Sequence, residues 1–199
     1  GSGLPEGPPA SEPGRGIPEI MILQGDGMLL RPWRGEDIPA LVRIADNPRI
    51  AASMRDGFPH PYTPADAAHF ITQVAADERA LILAIEYDGA PVGSIGVHPF
   101  DDVYRHTGEI GYWLAEPFWG KGIVPAAVRA LLPVAFDRFS LQRLQAGVFS
   151  TNTASMRVLE KCGFVREAVH HRAVFKLGQF LDEMLYVRLR DREPGKREG

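Results

Sequence analysis

The sequence contains a single cysteine, Cys162, among 199 residues, so no disulfide can form within the chain. A chain of this size, 45% hydrophobic, can bury a core without covalent cross-links. Both features are typical of a protein from a reducing compartment, and we predict a cytoplasmic location. Cys162 stands beside Gly163 at a predicted helix end, and we interpret it as a packing residue rather than a nucleophile.

Long apolar runs and a basic excess are also missing. No stretch approaches the roughly 20 apolar residues that a membrane-spanning helix needs, so we predict no membrane partner. The formal net charge is −3, and no basic run precedes the short C-terminal tail, which disfavours nucleic-acid binding. The histidines at 98, 106, 170 and 171 form no HxxxH-type pattern, so no metal site is predicted.

Apolar periodicity is absent from the first 19 residues, which are rich in Pro, Gly, Ser and Glu. We predict a disordered tail over 1–19, one domain over 20–191 and a frayed charged end over 192–199. The domain pattern predicts seven strands near residues 28–33, 81–87, 91–97, 107–114, 144–149, 164–174 and 181–189. Four helices are predicted: from Gly35 to Asn47, after Thr63, over about 121–138 and over 152–162. We interpret Asn47-Pro48 as the stop signal of the first.

The stretch from 107 to 128 carries most of the functional signal. It opens as a strand, with Ile110, Tyr112 and Leu114 on one face and Glu109, Gly111 and Trp113 on the other. It closes as an alanine-rich helix whose first turn accommodates Pro125. The intervening Gly120-Lys121-Gly122 loop would gather unpaired backbone N–H groups, which predicts a site for a phosphate or pyrophosphate.

That loop is a weak signal by itself. It lacks the Walker spacing, and Pro125 stands where the GxGxxG fingerprint has its third glycine. A tight turn that requires positive φ is the alternative interpretation.

Four segments together resemble the GNAT superfamily of N-acetyltransferases, and within it the ribosomal-protein N-terminal acetyltransferase-like branch. They are Leu-Arg-Pro-Trp at 30–33, Glu-Ile-Gly-Tyr-Trp-Leu at 109–114, Trp-Gly-Lys-Gly-Ile at 119–123, and the segment from Asn152 to Phe164. Each is modest alone, but their order and spacing are specific. The resemblance implies one α/β (α+β) domain with a single mixed, mostly antiparallel, splayed central sheet flanked by helices.

The resemblance also implies acetyl-CoA as donor and CoA as product. It assigns the diphosphate to backbone N–H groups of the loop residues Trp119, Gly120, Lys121, Gly122 and Ile123. The pantetheine arm would lie in the sheet's gap, along the edge groups of Tyr112, Trp113 and Leu114. An N–H near Trp113 or Leu114 would polarise the thioester oxygen. The side chains of Tyr112 and Trp113 we interpret as packing residues.

Two residues of the Asn152 segment have alternative interpretations. By resemblance, Asn152 would hydrogen-bond the pantetheine and Ser155 would face the thioester sulfur. From the residues alone, Asn152 is a good helix N-cap, and Ser155 would help to satisfy the first turn.

Glu109 is the candidate general base, acting directly or through water, because it lies in the sheet just before the loop. Binding of the substrate ammonium and a structural ion pair with an arginine are the alternatives. The segment over 54–64 is another open case. It either faces the substrate or packs through Phe58 and Tyr62.

One position departs from the family pattern. Many GNAT enzymes carry a tyrosine four residues before the Gly-Phe pair, as acid for the leaving thiolate, and here that residue is Leu159. Ser155 lies one turn earlier on the same helix face and is the predicted substitute.

The predicted function is acetyl transfer to a primary amine, with a protein or peptide N-terminus as the first-choice acceptor. A small amine, such as an aminoglycoside, polyamine or amino acid derivative, is the enzymatic alternative. A catalytically silent acyl-CoA-binding module is the non-enzymatic one, motivated by Leu159. Dimers are common among similar proteins, so a homodimer is a further expectation, with no interface identified by the sequence.

Overall fold

A computed structural model describes residues 23–25 and 27–191 of the chain, and these form one eight-stranded sheet. The strands lie in the order β1-β2-β3-β4-β5-β6-β8-β7, and every neighbouring pair is antiparallel except β5 and β6. Their bounds are Leu23–Gly25, Met28–Arg31, Leu81–Tyr87, Ala90–Pro99, Thr107–Leu114, Arg143–Phe149, Val165–Lys176 and Gln179–Leu189, for β1 to β8. The predicted mixed, mostly antiparallel sheet is confirmed.

Helices cover both faces of the sheet. They are α1 (Ile38–Ala45), α2 (Pro48–Ala52), α3 (Pro64–Ala76), α4 (Ile123–Arg138) and α5 (Thr153–Lys161). One buried cluster, called the α4 cluster below, joins the sheet to α4 and α5. The other, called the α1–α3 cluster, joins the sheet to α1, α2 and α3. No helix within the described ranges is long and apolar enough to cross a lipid bilayer.

Strand β5 lies between the two cores and alternates between them. Ile110 and Leu114 pack in the α4 cluster, whereas Trp113 packs in the α1–α3 cluster. This confirms the predicted assignment of faces. It also places Glu109 on the α1–α3 face and Tyr112 on the α4–α5 face.

The parallel pairing of β5 with β6 covers three residues only, from Thr107 opposite Arg143 to Glu109 opposite Gln145. Beyond that pair, β5 continues to Leu114 and β6 to Phe149 without pairing to each other. The two strands therefore diverge and leave a gap in the middle of the sheet. The splay implied by the family resemblance is present.

Two elements were not predicted, β1 and α2. Asn47 and Pro48 were interpreted as a stop signal, and α1 does end at Ala45. However, the Asn47 side chain then accepts a hydrogen bond from the Arg49 N–H at 2.9 Å, and Pro48 opens a second helix. The same residue types that end one helix are good N-cap and N1 residues for the next. The predicted tails over 1–19 and 192–199 lie outside the described residues.

A buried ion cluster fixes α1 to the sheet. Arg31 on β2 donates to both carboxylate oxygens of Asp37 at 2.8 and 2.9 Å, and its Nε donates to Glu86 on β3. The Arg31 and Asp37 side chains are 5% and 9% exposed. Burial alone would raise the pKa of Asp37, but hydrogen bonds from Arg31 and the Arg34 N–H hold that pKa below its ordinary value.

We expect Asp37→Asn to lower the free energy of unfolding by about 3 kcal/mol at pH 7, because it leaves a buried guanidinium without its charge partner. A lowered folded-state pKa means that the carboxylate stabilises the fold above about pH 4 and stops doing so as acid protonates it. The difference between wild type and variant in urea unfolding should therefore shrink as the pH falls below about 4.

Asp191→Asn is the matched control, since Asp191 makes the same two-oxygen contact with Arg188 but is 81% exposed. We expect a change below about 1 kcal/mol for it. Equal effects of the two substitutions would show that the Arg31 cluster contributes no more than a surface pair.

Candidate active site

The Gly120-Lys121-Gly122 loop presents a row of free donors. Gly120 and Gly122 both adopt left-handed backbone, at φ 73° and 76°, so glycine is favoured by the turn itself. Helix α4 follows, and its first internal hydrogen bond runs from the Ala126 N–H to the Gly122 carbonyl. Within the described chain, the N–H groups of residues 120 to 124 find no protein acceptor. Their arrangement at a helix start suits an anion.

Trp119 differs from the other loop residues because its backbone N–H already has a hydrogen-bond acceptor in the protein. Its N–H is already bonded to the Glu116 carbonyl at 3.1 Å, so the free donors begin at Gly120. Its indole Nε1 donates to the Leu114 carbonyl at 2.7 Å, which ties the loop to the end of β5.

The free edge of β5 faces the gap. The Ala115 N–H bonds to Val92 on β4, and backbone groups alternate in direction along a strand. The backbone groups of Tyr112 and Leu114 therefore point away from β4, toward the diverging β6. Those of Trp113 point toward β4, and its indole packs edge-on against Phe58 at 5.6 Å. Of the three β5 residues predicted at the cofactor, two have the backbone orientation needed.

A cavity of about 720 Å³ lies at this gap. The end of β5, the glycine loop and the starts of α4 and α5 line it, together with the unpredicted helix α2. Three cationic side chains, Arg49, Arg157 and Lys161, contribute to its lining, and no acidic one does. Helix α2 is held there because Asn47 and Arg49 both donate to Glu116, at 2.8 and 2.6 Å.

The start of α5 supplies the polar end of the cavity. Asn152 is the N-cap, and its Oδ1 accepts from the Ser155 N–H at 3.2 Å, as the residue-based interpretation predicted. Asn152 and Ser155 also line the cavity, so the cofactor interpretation stands beside it. Leu159 is fully buried in the α4 cluster.

Tyr112 supplies a polar group that sequence reasoning missed. Its hydroxyl lies 2.8 Å from the Ser155 Oγ, within the cavity lining, although we interpreted the ring as packing only. Burial raises the pKa of this phenol above its ordinary value. The strand alternation predicted which face Tyr112 occupies, but not that Ser155 would lie opposite it.

Glu109 lies on the face of the sheet opposite Tyr112, in the last residue pair before β5 and β6 diverge. It accepts a hydrogen bond from Arg55 at 2.9 Å, so the predicted ion pair with an arginine is observed. The two side chains are 34% and 81% exposed, and a pair this exposed is weak. The carboxylate therefore remains available to an incoming ammonium group.

A second carboxylate, Glu183 on β8, lies on the same face of the sheet. Ala146 and Val148 pack in the α4 cluster, so Gly147 between them faces the side of Glu109. A Cβ at Gly147 would lie 2.7 Å from the Glu183 carboxylate, which therefore rests directly on β6. The His170 Nδ1 is 3.1 Å from the same carboxylate. No sequence motif pointed to Glu183.

The 54–64 segment both packs and reaches the site. Phe58 contacts Tyr62 and Trp113 at ring distances of 5.4 and 5.6 Å, which confirms the packing interpretation. Arg55 from the same segment reaches Glu109, and Asp56 binds the Lys176 ammonium at 2.8 Å. Cys162 is buried and its thiol pKa is raised by burial, as expected of a packing residue. No cluster of potential metal ligands occurs among the described residues.

Comparison with known proteins identifies a family. A family model described as an acetyltransferase (GNAT) domain matches residues 28–165. The putative ribosomal N-acetyltransferase YdaF of Bacillus subtilis is 34% identical over 122 residues, 61% of this chain and 66% of that protein. The ribosomal-protein-serine acetyltransferase of Escherichia coli is 33% identical over 99 residues, 49% of this chain and 55% of that protein. The chain thus spans less than two thirds of each of these relatives.

A solved structure agrees with these sequence matches. The microcin C7 self-immunity acetyltransferase MccE, in complex with acetyl-CoA and AMP, superposes with a TM-score of 0.74 at 27% identity. The superposition covers 82% of this chain and 93% of that one.

We expect acetyl-CoA at about 100 times its Kd to add about 2.7 kcal/mol to stability, which raises the melting temperature by roughly 5–10 °C. Gly120→Glu should abolish this shift, because it places a carboxylate beside the free N–H groups. Thermal unfolding with and without the ligand measures both.

Gly178→Glu is the matched control. Gly178 also has left-handed backbone, at φ 78°, with open space around its Cβ position, but it lies in the β7–β8 turn. Both variants should lose some stability without ligand, and only Gly178→Glu should keep the ligand-induced shift. Absence of a shift in the wild type at millimolar acetyl-CoA would mean that the loop is only a turn.

Proposed function

The chain belongs to the GNAT acetyltransferase family, and we propose that it is an acetyl-CoA-dependent N-acetyltransferase whose acceptor is the α-amine of a protein or peptide N-terminus. The observation that carries the proposal is the position of Glu109. It lies at the point where β5 and β6 part, on the face opposite Tyr112 and Ser155. Donor and amine can therefore meet in the gap from opposite faces of the sheet.

The donor would bind in the cavity of about 720 Å³. Its diphosphate would accept hydrogen bonds from the N–H groups of residues 120 to 123, at the positive end of α4. Arg157 and Lys161 supply positive charge for the phosphates, and Arg49 contributes less because its guanidinium is paired with Glu116. Since the Asn152 Oδ1 caps α5, the amide NH₂ is the part of that side chain left to bind the pantetheine.

The reaction requires a neutral amine. An α-amine has an ordinary pKa of about 8, so it loses its proton more readily than a lysine-like amine, whose pKa is about 10.4. Glu109 would bind the ammonium in place of Arg55 and take its proton, directly or through water. The amine nitrogen then attacks the thioester carbon, the N–C bond forms, and the C–S bond breaks with its electron pair on sulfur. The nitrogen loses its second proton to water, so that the products are the neutral amide and the CoA thiolate. The gap-facing Leu114 N–H is the group proposed to stabilise the oxyanion.

The names of two relatives support a protein acceptor. Both the Bacillus and the Escherichia coli protein are described as acting on ribosomal proteins, the former putatively. The carboxylates of Glu109 and Glu183 on the acceptor face would suit any ammonium group, so charge alone does not select the peptide.

An acceptor panel distinguishes the alternatives. We expect CoA release with a tetrapeptide that has a free N-terminal amine. The same peptide with an acetylated N-terminus and an internal lysine should be inert. Turnover only with spermidine or an aminoglycoside would overturn the peptide proposal in favour of a small amine. Acetyl-CoA binding without turnover of any amine would indicate a binding module.

We expect Glu109→Gln to lower kcat about 10²- to 10⁴-fold, because the amide cannot take the proton, while the KM for acetyl-CoA changes little. Steady-state kinetics between pH 6 and 9 measures both. Glu167→Gln is the matched control, since Glu167 is an arginine-paired carboxylate on β7, bonded to Arg143 at 2.8 Å. An unchanged rate for Glu109→Gln at every pH would show that Glu109 is not the base.

A further inference from the structure

The helix face that carries an acid in many family members has none here. Leu159 is 0% exposed and packs in the α4 cluster, so this position offers no polar atom to the cavity. Ser155, one turn earlier, is the helix residue with a hydroxyl in the cavity lining near this face. What orients that hydroxyl decides whether it can serve the leaving sulfur.

Tyr112 approaches Ser155 from the strand opposite. Its hydroxyl is 2.8 Å from the Ser155 Oγ and 3.3 Å from the Ser155 carbonyl oxygen. Serine hydroxyls near helix starts often bond to a carbonyl of the preceding turn, but the Ser155 Oγ makes no such bond within the described chain. Its hydrogen-bond partner in the protein is Tyr112.

The Tyr112 hydroxyl has one proton and two acceptors within reach, the Ser155 Oγ at 2.8 Å and the Ser155 carbonyl oxygen at 3.3 Å. The contact with Oγ is the shorter and therefore the stronger of the two, so the positioning role takes Tyr112 as the donor and the Ser155 Oγ as the acceptor. The Ser155 proton is then free to point elsewhere. Hydrogen bonds arranged head to tail also polarise one another, so the Ser155 O–H becomes a better donor than an isolated serine.

We propose that Tyr112 is a positioning residue, which holds the Ser155 hydroxyl so that it donates a hydrogen bond to the sulfur of the departing CoA thiolate. The inference rests on the proposed acetyl transfer and deepens it. It assigns to a strand residue and a helix residue together the task that one helix tyrosine performs elsewhere in the family.

The step balances without full proton transfer from either hydroxyl. As the C–S bond breaks, its electron pair goes to sulfur, and the thiolate accepts the Ser155 hydrogen bond. The ammonium nitrogen loses two protons on becoming the amide, the first to Glu109, directly or through water, and the second to water. The ordinary pKa of a thiol is about 8.5, so solvent can later protonate the CoA thiolate. Tyr112 keeps its proton throughout, which agrees with its buried position on β5.

A double-mutant cycle tests the coupling. We expect Ser155→Ala to lower kcat about 10- to 100-fold, since it removes a hydrogen bond to a charged group. Tyr112→Phe should lower kcat about 3- to 10-fold, with the KM for acetyl-CoA within about twofold. In the Ser155→Ala background, Tyr112→Phe should have no further effect, because its partner is gone. Independent, multiplicative losses would contradict the positioning role, as would an unchanged kcat for Tyr112→Phe.

Tyr186→Phe is the matched control. Tyr186 is also buried, and its hydroxyl donates to Glu160 on the same helix at 2.9 Å, two residues before the helix-ending Cys162. The substitution removes a strand-to-α5 hydrogen bond without touching Ser155. We expect kcat to be unchanged, and a loss equal to that of Tyr112→Phe would mean that both tyrosines merely fix the helix.

A second measurement needs no amine substrate, because it follows the thiol of bound CoA. The thiol of bound CoA can be titrated by the ultraviolet absorbance of its thiolate between pH 6 and 9.5, with the desulfo-CoA complex as blank. We expect the pKa of that thiol to be about one pH unit higher in Ser155→Ala and in Tyr112→Phe than in the wild type, since a donated hydrogen bond stabilises the thiolate. Tyr186→Phe should titrate like the wild type.

The two readouts separate the inference from the proposed acceptor. A wild type that fails to acetylate peptides but shows the lower thiol pKa would overturn the acceptor and support the Tyr112–Ser155 pair. Equal thiol pKa values in all variants would overturn the pair, whichever amine is acetylated.

Discussion

The divergence of β5 from β6 after the Glu109–Gln145 pair is the constraint on which the rest of the structure depends. Unpaired backbone groups inside a sheet are costly unless water or a ligand satisfies them. Here both gap-facing groups of Tyr112 and the N–H of Leu114 open onto a cavity instead of onto a neighbouring strand, while the Leu114 carbonyl accepts from the Trp119 indole. The fold thus leaves part of its own hydrogen bonding unmade at the place where a substrate with amide groups would bind.

Three further features converge on that gap. The glycine loop and the α4 start bring free N–H groups to one end, because left-handed backbone at Gly120 and Gly122 turns the chain there. The α5 start brings Asn152 and Ser155 to the other. Helix α2, tethered to Glu116, closes the side. Cationic side chains line the cavity, whereas the carboxylates of Glu109 and Glu183 lie on the face of the sheet opposite the α4 cluster.

Much of this could be predicted from the sequence, since it depends on local chemistry. Period-two alternation predicted the faces of β5, and the Thr63 and Asn152 caps predicted two helix starts. The missed parts depend on contacts between distant segments. Asn47-Pro48 was interpreted only as a stop, because nothing local distinguishes a stop from a new start. The Tyr112–Ser155 contact joins residues 43 apart, and the Gly147–Glu183 contact depends on β6–β8 register, which no motif encodes.

Hydrogen exchange of the backbone amides, with and without acetyl-CoA, tests most directly whether the gap and the glycine loop form the donor site. The free N–H groups of residues 120 to 124 and the gap-facing ones of Tyr112 and Leu114 should exchange more slowly with ligand. The amides of α3, remote from the cavity, should be unchanged. Protection confined to segments outside 112–124 and 151–158 would contradict the assignment of the site.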